Sequence, residues 1–349
     1  MRFAHVQSNI MKAFIRAIEY HLPETVLSNA QLSAEFPGWS VEKIEEKTGI
    51  SERRISAPGE FASDLGVSAV RRLFESGVCQ PSEIDFILYC TQSPDYYLPT
   101  TACLLQERLS IPTTAGALDF NLGCSGYIYG LGLAKGLVET GQARNLLLVT
   151  AETYSKFIYP EDRSVRTLFG DGAAATLIQA AHSPVDCLGP FVYGTDGRGA
   201  GNLIVPSGGL RHPLRNRASD IIEDENGNRR TPDSLYMNGA EIFSFSLQAV
   251  PNVVHQALER ASYSLNEVDL FVFHQANHYM LEHLRRKLKI PPEKFVFALD
   301  KVGNTVSSTI PIALKQVQAD QRLRKGQKVL LVGFGVGYSW GAAFIRWEV

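Results

Sequence analysis

Cys124, His274 and Asn304 carry the chemistry to which this 349-residue chain points. Cys124 follows an apolar run, Ala117 to Leu122, and a turn glycine, Gly123. Gly126 to Thr140 then alternates small and large residues like a tightly packed helix. A cysteine at such a strand-to-helix turn lies near unpaired backbone N–H groups and the positive end of the helix dipole. Both favour thiolate, the form that attacks carbonyl carbon. Taken alone, such a cysteine is also readily an inert buried hydrophobe. His274 ends an apolar run, Asp269 to Phe273, and Asn304 follows Gly303. Thiol, imidazole and carboxamide together make a nucleophile with neutral hydrogen-bond donors, the set that holds a developing oxyanion or enolate.

The elements that would bring these residues together repeat along the chain. SEIDFILYCTQS (82–93) aligns with NEVDLFVFHQAN (266–277), placing Cys90 opposite His274. ALDFNLGCSG (117–126) aligns with ALDKVGNTVS (298–307), and ARNLLLVTAE (143–152) with GQKVLLVGFG (326–335). Three blocks in one order read as an internal duplication of an αβ unit. With one residue of slippage Cys124 meets Asn304. If the halves pack about a pseudo-twofold axis, these turns and the strand end at His274 converge.

Local signals fill in the rest. Ala13 to Tyr20 reads as a first strand, and Ser28 caps a helix reaching Phe36. Val41 to Lys47 and Asp64 to Ser76 read as amphipathic helices. Ala173 to Ile178, Val329 to Val332 and Trp340 to Trp347 read as strands. Residues 1–10 read as an extension, with Met11 an alternative start, 11–182 as the first half and 183–349 as the second. The length fits two domains or one large duplicated one. A net charge of −2 argues against partners found by bulk charge, nucleic acid and membrane surfaces among them. The five cysteines form no CxxC pair, which suits neither a disulfide framework nor a zinc site and fits a reducing cytoplasm. No run reaches the ~20 apolar residues of a membrane span.

Two motifs invite other readings. His274 and His278 have metal-ligand spacing, but glutamine stands at 275 where a zinc-protease motif has glutamate. Gly333-Phe334-Gly335-Val336-Gly337 has the look of a dinucleotide loop, yet too few residues follow for a βαβ unit, so it reads as a turn between strands. Phe169-Gly170-Asp171-Gly172 reads as plain turn chemistry.

Together CSG (124–126), HQAN (274–277), GNTVSSTIP (303–311) and GFGVGYSWGAA (333–343) resemble the β-ketoacyl-acyl carrier protein synthase III family of the thiolase-like superfamily. Ser40-Val41 through Thr48-Gly49-Ile50-Ser51-Glu52-Arg53-Arg54 and Pro160-Glu161-Asp162-Arg163 follow it too. The resemblance implies an α/β fold, layered αβαβα from two pseudo-repeated halves, usually as a homodimer, without metal or redox cofactor. It implies that an acyl-coenzyme A primer acylates a cysteine. Malonyl-acyl carrier protein then loses carbon dioxide, and its carbanion attacks the thioester. Cys124 matches the nucleophile, His274 and Asn304 the enolate-stabilising pair, and the backbone N–H groups of Cys124 and Val336 the donors to the thioester. Arg163 matches a residue near the adenine, Phe169 and Asn277 tunnel residues, and Leu98 a side chain reaching across the dimer.

Departures from the family bear on substrate choice. Lys43 replaces an adenine-stacking tryptophan, Lys47 an arginine, and Tyr279 a docking arginine. A primer other than acetyl-coenzyme A, longer or carrier-bound, is the resulting expectation. Arg285, Arg286 and Lys287 offer a basic face for an acidic carrier protein. Alternatives within the fold are acyl transfer to oxygen or nitrogen and a condensing enzyme of secondary metabolism. A non-catalytic partner subunit fits less well, since such subunits typically lose the cysteine. No match is found for the glutamate base of hydroxymethylglutaryl-coenzyme A synthases.

Overall fold

In the computed structural model, residues 10–214 and 220–349 are described. The expected extension and Met1 fall outside them but for Ile10, and both Ile10 and Met11 lie in the first strand. Nine strands build the main sheets: β1 (Ile10–His21), β2 (Phe86–Cys90), β3 (Gly116–Phe120), β4 (Asn145–Glu152), β5 (Gly172–Ser183), β6 (Leu188–Thr195), β7 (Leu270–Phe273), β8 (Lys328–Gly335) and β9 (Ser339–Arg346). The five-stranded sheet runs β1-β5-β4-β2-β3 and the four-stranded sheet β6-β9-β8-β7. Position by position the orders match, with the same parallel and antiparallel pairs.

The repeat fails in one place. Where ALDKVG was aligned with a strand, the second half has only a bridge between Phe271 and Phe295. Pro291 and Pro292 precede that bridge and have no N–H for a ladder.

Eight helices matter here: α1 (Asn29–Glu35), α2 (Val41–Thr48), α3 (Ala62–Glu75), α4 (Thr101–Arg108), α5 (Gly126–Glu139), α6 (Gly239–Ala261), α7 (His278–Lys287) and α8 (Thr309–Ala319). Ser28 caps α1 through a capping box with Gln31, and Gly49 ends α2 with φ 67°. The chain is therefore layered αβαβα. One core joins α3 and α4 to the first sheet and another joins α6 and α7 to the second. A central core holds α5 and α8 between the sheets. Strands covered on both faces read as unbroken apolar runs, which is why Leu146 to Val149 and Val329 to Val332 lack alternation. Each such leucine or valine, fully buried, contributes about 1.5–3 kcal/mol. Among the described residues no helix is long and apolar enough to cross a membrane.

Candidate active site

The end of β8 gathers the site. Cys124 lies just before Ser125, the N-cap of α5, and is only 4% exposed. A Cβ on Gly333 would stand 2.8 Å from the Cys124 carbonyl oxygen, and one on Gly335 would stand 2.9 Å from Cys124 Sγ. These glycines therefore let the Cys124 turn press against the second sheet, a packing role rather than a phosphate loop. The backbone N–H groups of Val336 and of Cys124 itself favour the ionised form of the sulfur.

His274 extends the parallel β7–β8 pairing, its N–H donating to the Val332 carbonyl at 2.8 Å. It thus shares register with Gly333 and the face that Gly333 presents to Cys124. Its Nδ1 is 2.8 Å from Thr309 Oγ1, and its ring meets the Phe334 ring edge-on at 5.6 Å. Burial pulls the imidazole down to about 3, so it is neutral at physiological pH.

Asn304 follows Gly303 (φ 74°), bridges to Phe169, and accepts the Val306 N–H on Oδ1 at 2.9 Å. Its Nδ2 lies 3.4 Å from the Ala276 carbonyl. The neighbour Val306 has φ 56°, a strained conformation for a β-branched side chain. Such strain at the turn that carries Asn304 is held by the packing around it.

A thiolate at the helix start is not what the resting protein presents. Burial, with a smaller contribution from Glu152, pushes the Cys124 thiol up to about 12, against the two N–H groups that lower it. Desolvation outweighs those donors because no cation compensates. Alkylation of Cys124 by iodoacetamide, followed by peptide mass, should therefore rise roughly tenfold per pH unit from about pH 7 to about pH 10. A plateau near neutrality would mean a thiolate.

Glu152 itself was not singled out in the sequence. It ends β4 fully buried and accepts from the Gln92 N–H at 3.0 Å, Ser93 Oγ at 3.0 Å and Ser307 Oγ at 2.9 Å. Burial raises its carboxyl to about 8 despite these donors. A charged residue closing an apolar strand was the available signal. Asp171 similarly exceeds turn chemistry, since it is buried and bonded to Ser56 and Ser155 through both backbone and hydroxyl.

The other sequence candidates fall at several separate places. Phe169 is buried 5.2 Å from the Tyr154 ring. Asn277 is the N-cap of α7, its Oδ1 accepting from Met280 N at 2.8 Å. Arg163 donates to the Asn226 carbonyl. Lys43, Lys47 and Arg163 surround the Trp39 ring at 5.4, 4.9 and 5.8 Å. Trp39, just ahead of the Ser40 N-cap of α2, is not among the sequence candidates, and its aromatic side chain four residues before Lys43 was the available signal. Leu98 is 82% exposed. Arg285 and Arg286 both bind Glu282, and Lys287 donates to the Leu247 carbonyl.

Residues 118–197 match the 3-oxoacyl-[acyl-carrier-protein] synthase III family and residues 258–347 its C-terminal family. A β-ketoacyl-[acyl-carrier-protein] synthase III from Caldanaerobacter subterraneus is 37% identical over 94% of this chain and 96% of its own length. The chain belongs to the synthase III family. A solved 3-oxoacyl-(acyl-carrier-protein) synthase III is 54% identical, covers 96% of this chain and 100% of its own, and superposes with a TM-score of 0.95. The priming β-ketosynthase of the R1128 polyketide pathway is 28% identical, with 97% and 96% covered and a TM-score of 0.84. In this synthase III chain, the motifs flanking Cys124, His274 and Asn304 lie on the elements just described.

Proposed function

We propose that the chain condenses an acyl thioester primer with malonyl-acyl carrier protein, releasing carbon dioxide and forming β-ketoacyl-acyl carrier protein through an acyl thioester on Cys124. The observation that supports this reading is that the Cys124 turn packs on Gly333 and Gly335, beside the strand end of His274, and that Gly123 packs on Val306, whose N–H Asn304 accepts. The Cys124 and Val336 N–H groups polarise the thioester carbonyl during acylation. Decarboxylation then needs a place for the electron pair, and Asn304 Nδ2 with His274 supplies donors to the enolate oxygen. The carbanion attacks the acyl carbon, and Cys124 leaves as thiolate and regains a proton. Incubation with an acyl-coenzyme A and malonyl-acyl carrier protein should give β-ketoacyl-acyl carrier protein by mass. Transfer of the acyl group to an alcohol or amine, with no carbon gained, would favour the alternative acyltransferase.

Trp39 bears on the expectation about the primer's carrier. Lys43 in place of tryptophan suggested poor coenzyme A stacking, but Trp39, four residues earlier and just ahead of α2, supplies an aromatic face ringed by Lys43, Lys47 and Arg163. An aromatic ring with cations suits an adenine and its phosphates, so coenzyme A remains a suitable primer carrier. The chain acts as a homodimer in this reading, with Tyr96, Tyr97 and Leu98, exposed by 61, 77 and 82%, covered by a second copy. Its place is the cytoplasm.

For carrier docking, Arg286, at 74%, and Lys287 are the exposed members of the basic face, while Arg285 is partly buried; Glu282 pairs with both arginines. Reversing Arg286 and Lys287 to glutamate should raise KM for malonyl-acyl carrier protein roughly tenfold, with little effect on acylation from coenzyme A. An unchanged KM would remove this face from docking.

A further inference from the structure

We propose that Arg53 is a positioning residue for decarboxylation: its guanidinium fixes the segment 167–170 against which the Asn304 turn is docked, and so places the Asn304 carboxamide. This rests on the reading of Asn304 as a donor to the enolate. Arg53 lies in a short strand, Glu52–Ile55, paired with Thr25–Ser28, and is wholly buried. Its Nη1 donates to Asn29 Oδ1 at 2.8 Å and to the Leu27 carbonyl at 3.2 Å, and its Nη2 donates to the Thr167 carbonyl at 2.9 Å. Three neutral oxygens thus hold it, and Nε has no partner. Burial pulls the guanidinium down to about 10, which leaves it charged at neutral pH. An apolar side chain of similar length would fill the same space without burying a charge, so what the guanidinium adds is its hydrogen bonds.

The bond to Thr167 acts one residue ahead of the Asn304 contact. The Asn304 N–H donates to the Leu168 carbonyl at 2.9 Å, and the Gly170 N–H donates to the Asn304 carbonyl at 3.1 Å. These two bonds form an isolated parallel bridge between Phe169 and Asn304, outside the strands, so no ladder on either side fixes it. The stem of Arg53 packs beneath the bridge. A Cβ on Gly303 would stand 2.9 Å from Arg53 Cβ, and one on Gly170 would stand 3.2 Å from the same atom. Arg53 therefore touches both sides, the first-half segment through Thr167 and Gly170 and the second-half turn through Gly303. The Asn304 side chain depends on that backbone. Its Oδ1 accepts the Val306 N–H, which fixes which way the amide faces, while Nδ2 has only the long 3.4 Å contact to the Ala276 carbonyl. An Nδ2 hydrogen is left for the enolate oxygen, and its aim follows the backbone of Gly303 and Asn304. None of these contacts involves Cys124, so acylation does not depend on them. Arg53 acts through Asn304.

Two rates test this: uptake of acyl mass at Cys124 from acyl-coenzyme A, and release of carbon dioxide from malonyl-acyl carrier protein. Arg53→Met should keep acylation within about threefold of wild type and lower carbon dioxide release on the order of 10-fold. If the methionine variant does not fold, Arg53→Lys takes its place, keeping the charge but reaching with one nitrogen where the fork uses two, and release should fall at least about threefold. In an Asn304→Ala background the same substitution should lower the residual release no further, because the group it positions is gone. Wild-type release in a variant that still takes up acyl mass would overturn the proposal. So would the same fold-loss with and without Asn304, the mark of a merely structural role, or loss of acyl uptake in both Arg53 variants. Wild-type release by Asn304→Ala alone would mean instead that the underlying reading of Asn304 has failed.

Discussion

Cys124→Ala should take up no acyl group when incubated with acyl-coenzyme A, and its condensation rate should fall by roughly 10⁴-fold or more. The size of the effect follows from the chemistry, since no other group at the site offers a nucleophile to a thioester. Cys90 is nearby but wholly buried, its sulfur tied to the Leu122 carbonyl at 3.1 Å, and burial raises its thiol well above the usual range. The substitution removes one buried sulfur and should cost about 1 kcal/mol of stability, so loss of activity and loss of fold are separable by thermal unfolding. Intact-protein mass reads the outcome. An acyl adduct on the alanine variant would place the intermediate on another residue.

Asn304→Ala should separate the two stages. Asn304 Nδ2 is assigned to the enolate and not to the thioester on Cys124, so acylation should survive. Decarboxylation of malonyl-acyl carrier protein should drop about 10²–10³-fold, as for removal of one oxyanion donor. The side chain also accepts the Val306 N–H, and Val306 is already at φ 56°. Asn304→Asp retains that acceptor while introducing a negative charge beside the enolate, and should lose decarboxylation at least as severely. Equal loss of acylation and decarboxylation in both variants would mean that Asn304 shapes the pocket as a whole.

Much of this was legible in the chain. The internal repeat placed β2 against β7 and β4 against β8, because central strands buried on both faces keep the same unbroken apolar signature wherever they occur. The turns holding Cys124 and Asn304 were marked by their glycines. What could not be read was the balance of forces around the thiol. A helix start argued for thiolate, but only the packed structure shows that Cys124 is buried beside Glu152, with the second sheet pressed against it through Gly333 and Gly335. Long-range hydrogen bonds were equally hidden. Thr309 looks like any small helix-start residue until His274 Nδ1 is found beside it. Trp39 was missed for a different reason: its ring reaches Lys43 and Lys47 from ahead of the helix that carries them, which a position-by-position match does not register.

The most direct measurement loads Cys124 with an acyl group, removes free primer, and adds malonyl-acyl carrier protein labelled with ¹³C in its free carboxyl. Carbon dioxide and the loss of acyl mass from the protein are then followed together. The account predicts one labelled carbon dioxide for each acyl group lost, with β-ketoacyl-acyl carrier protein formed in equal amount. Loss of the acyl group without labelled carbon dioxide would contradict it.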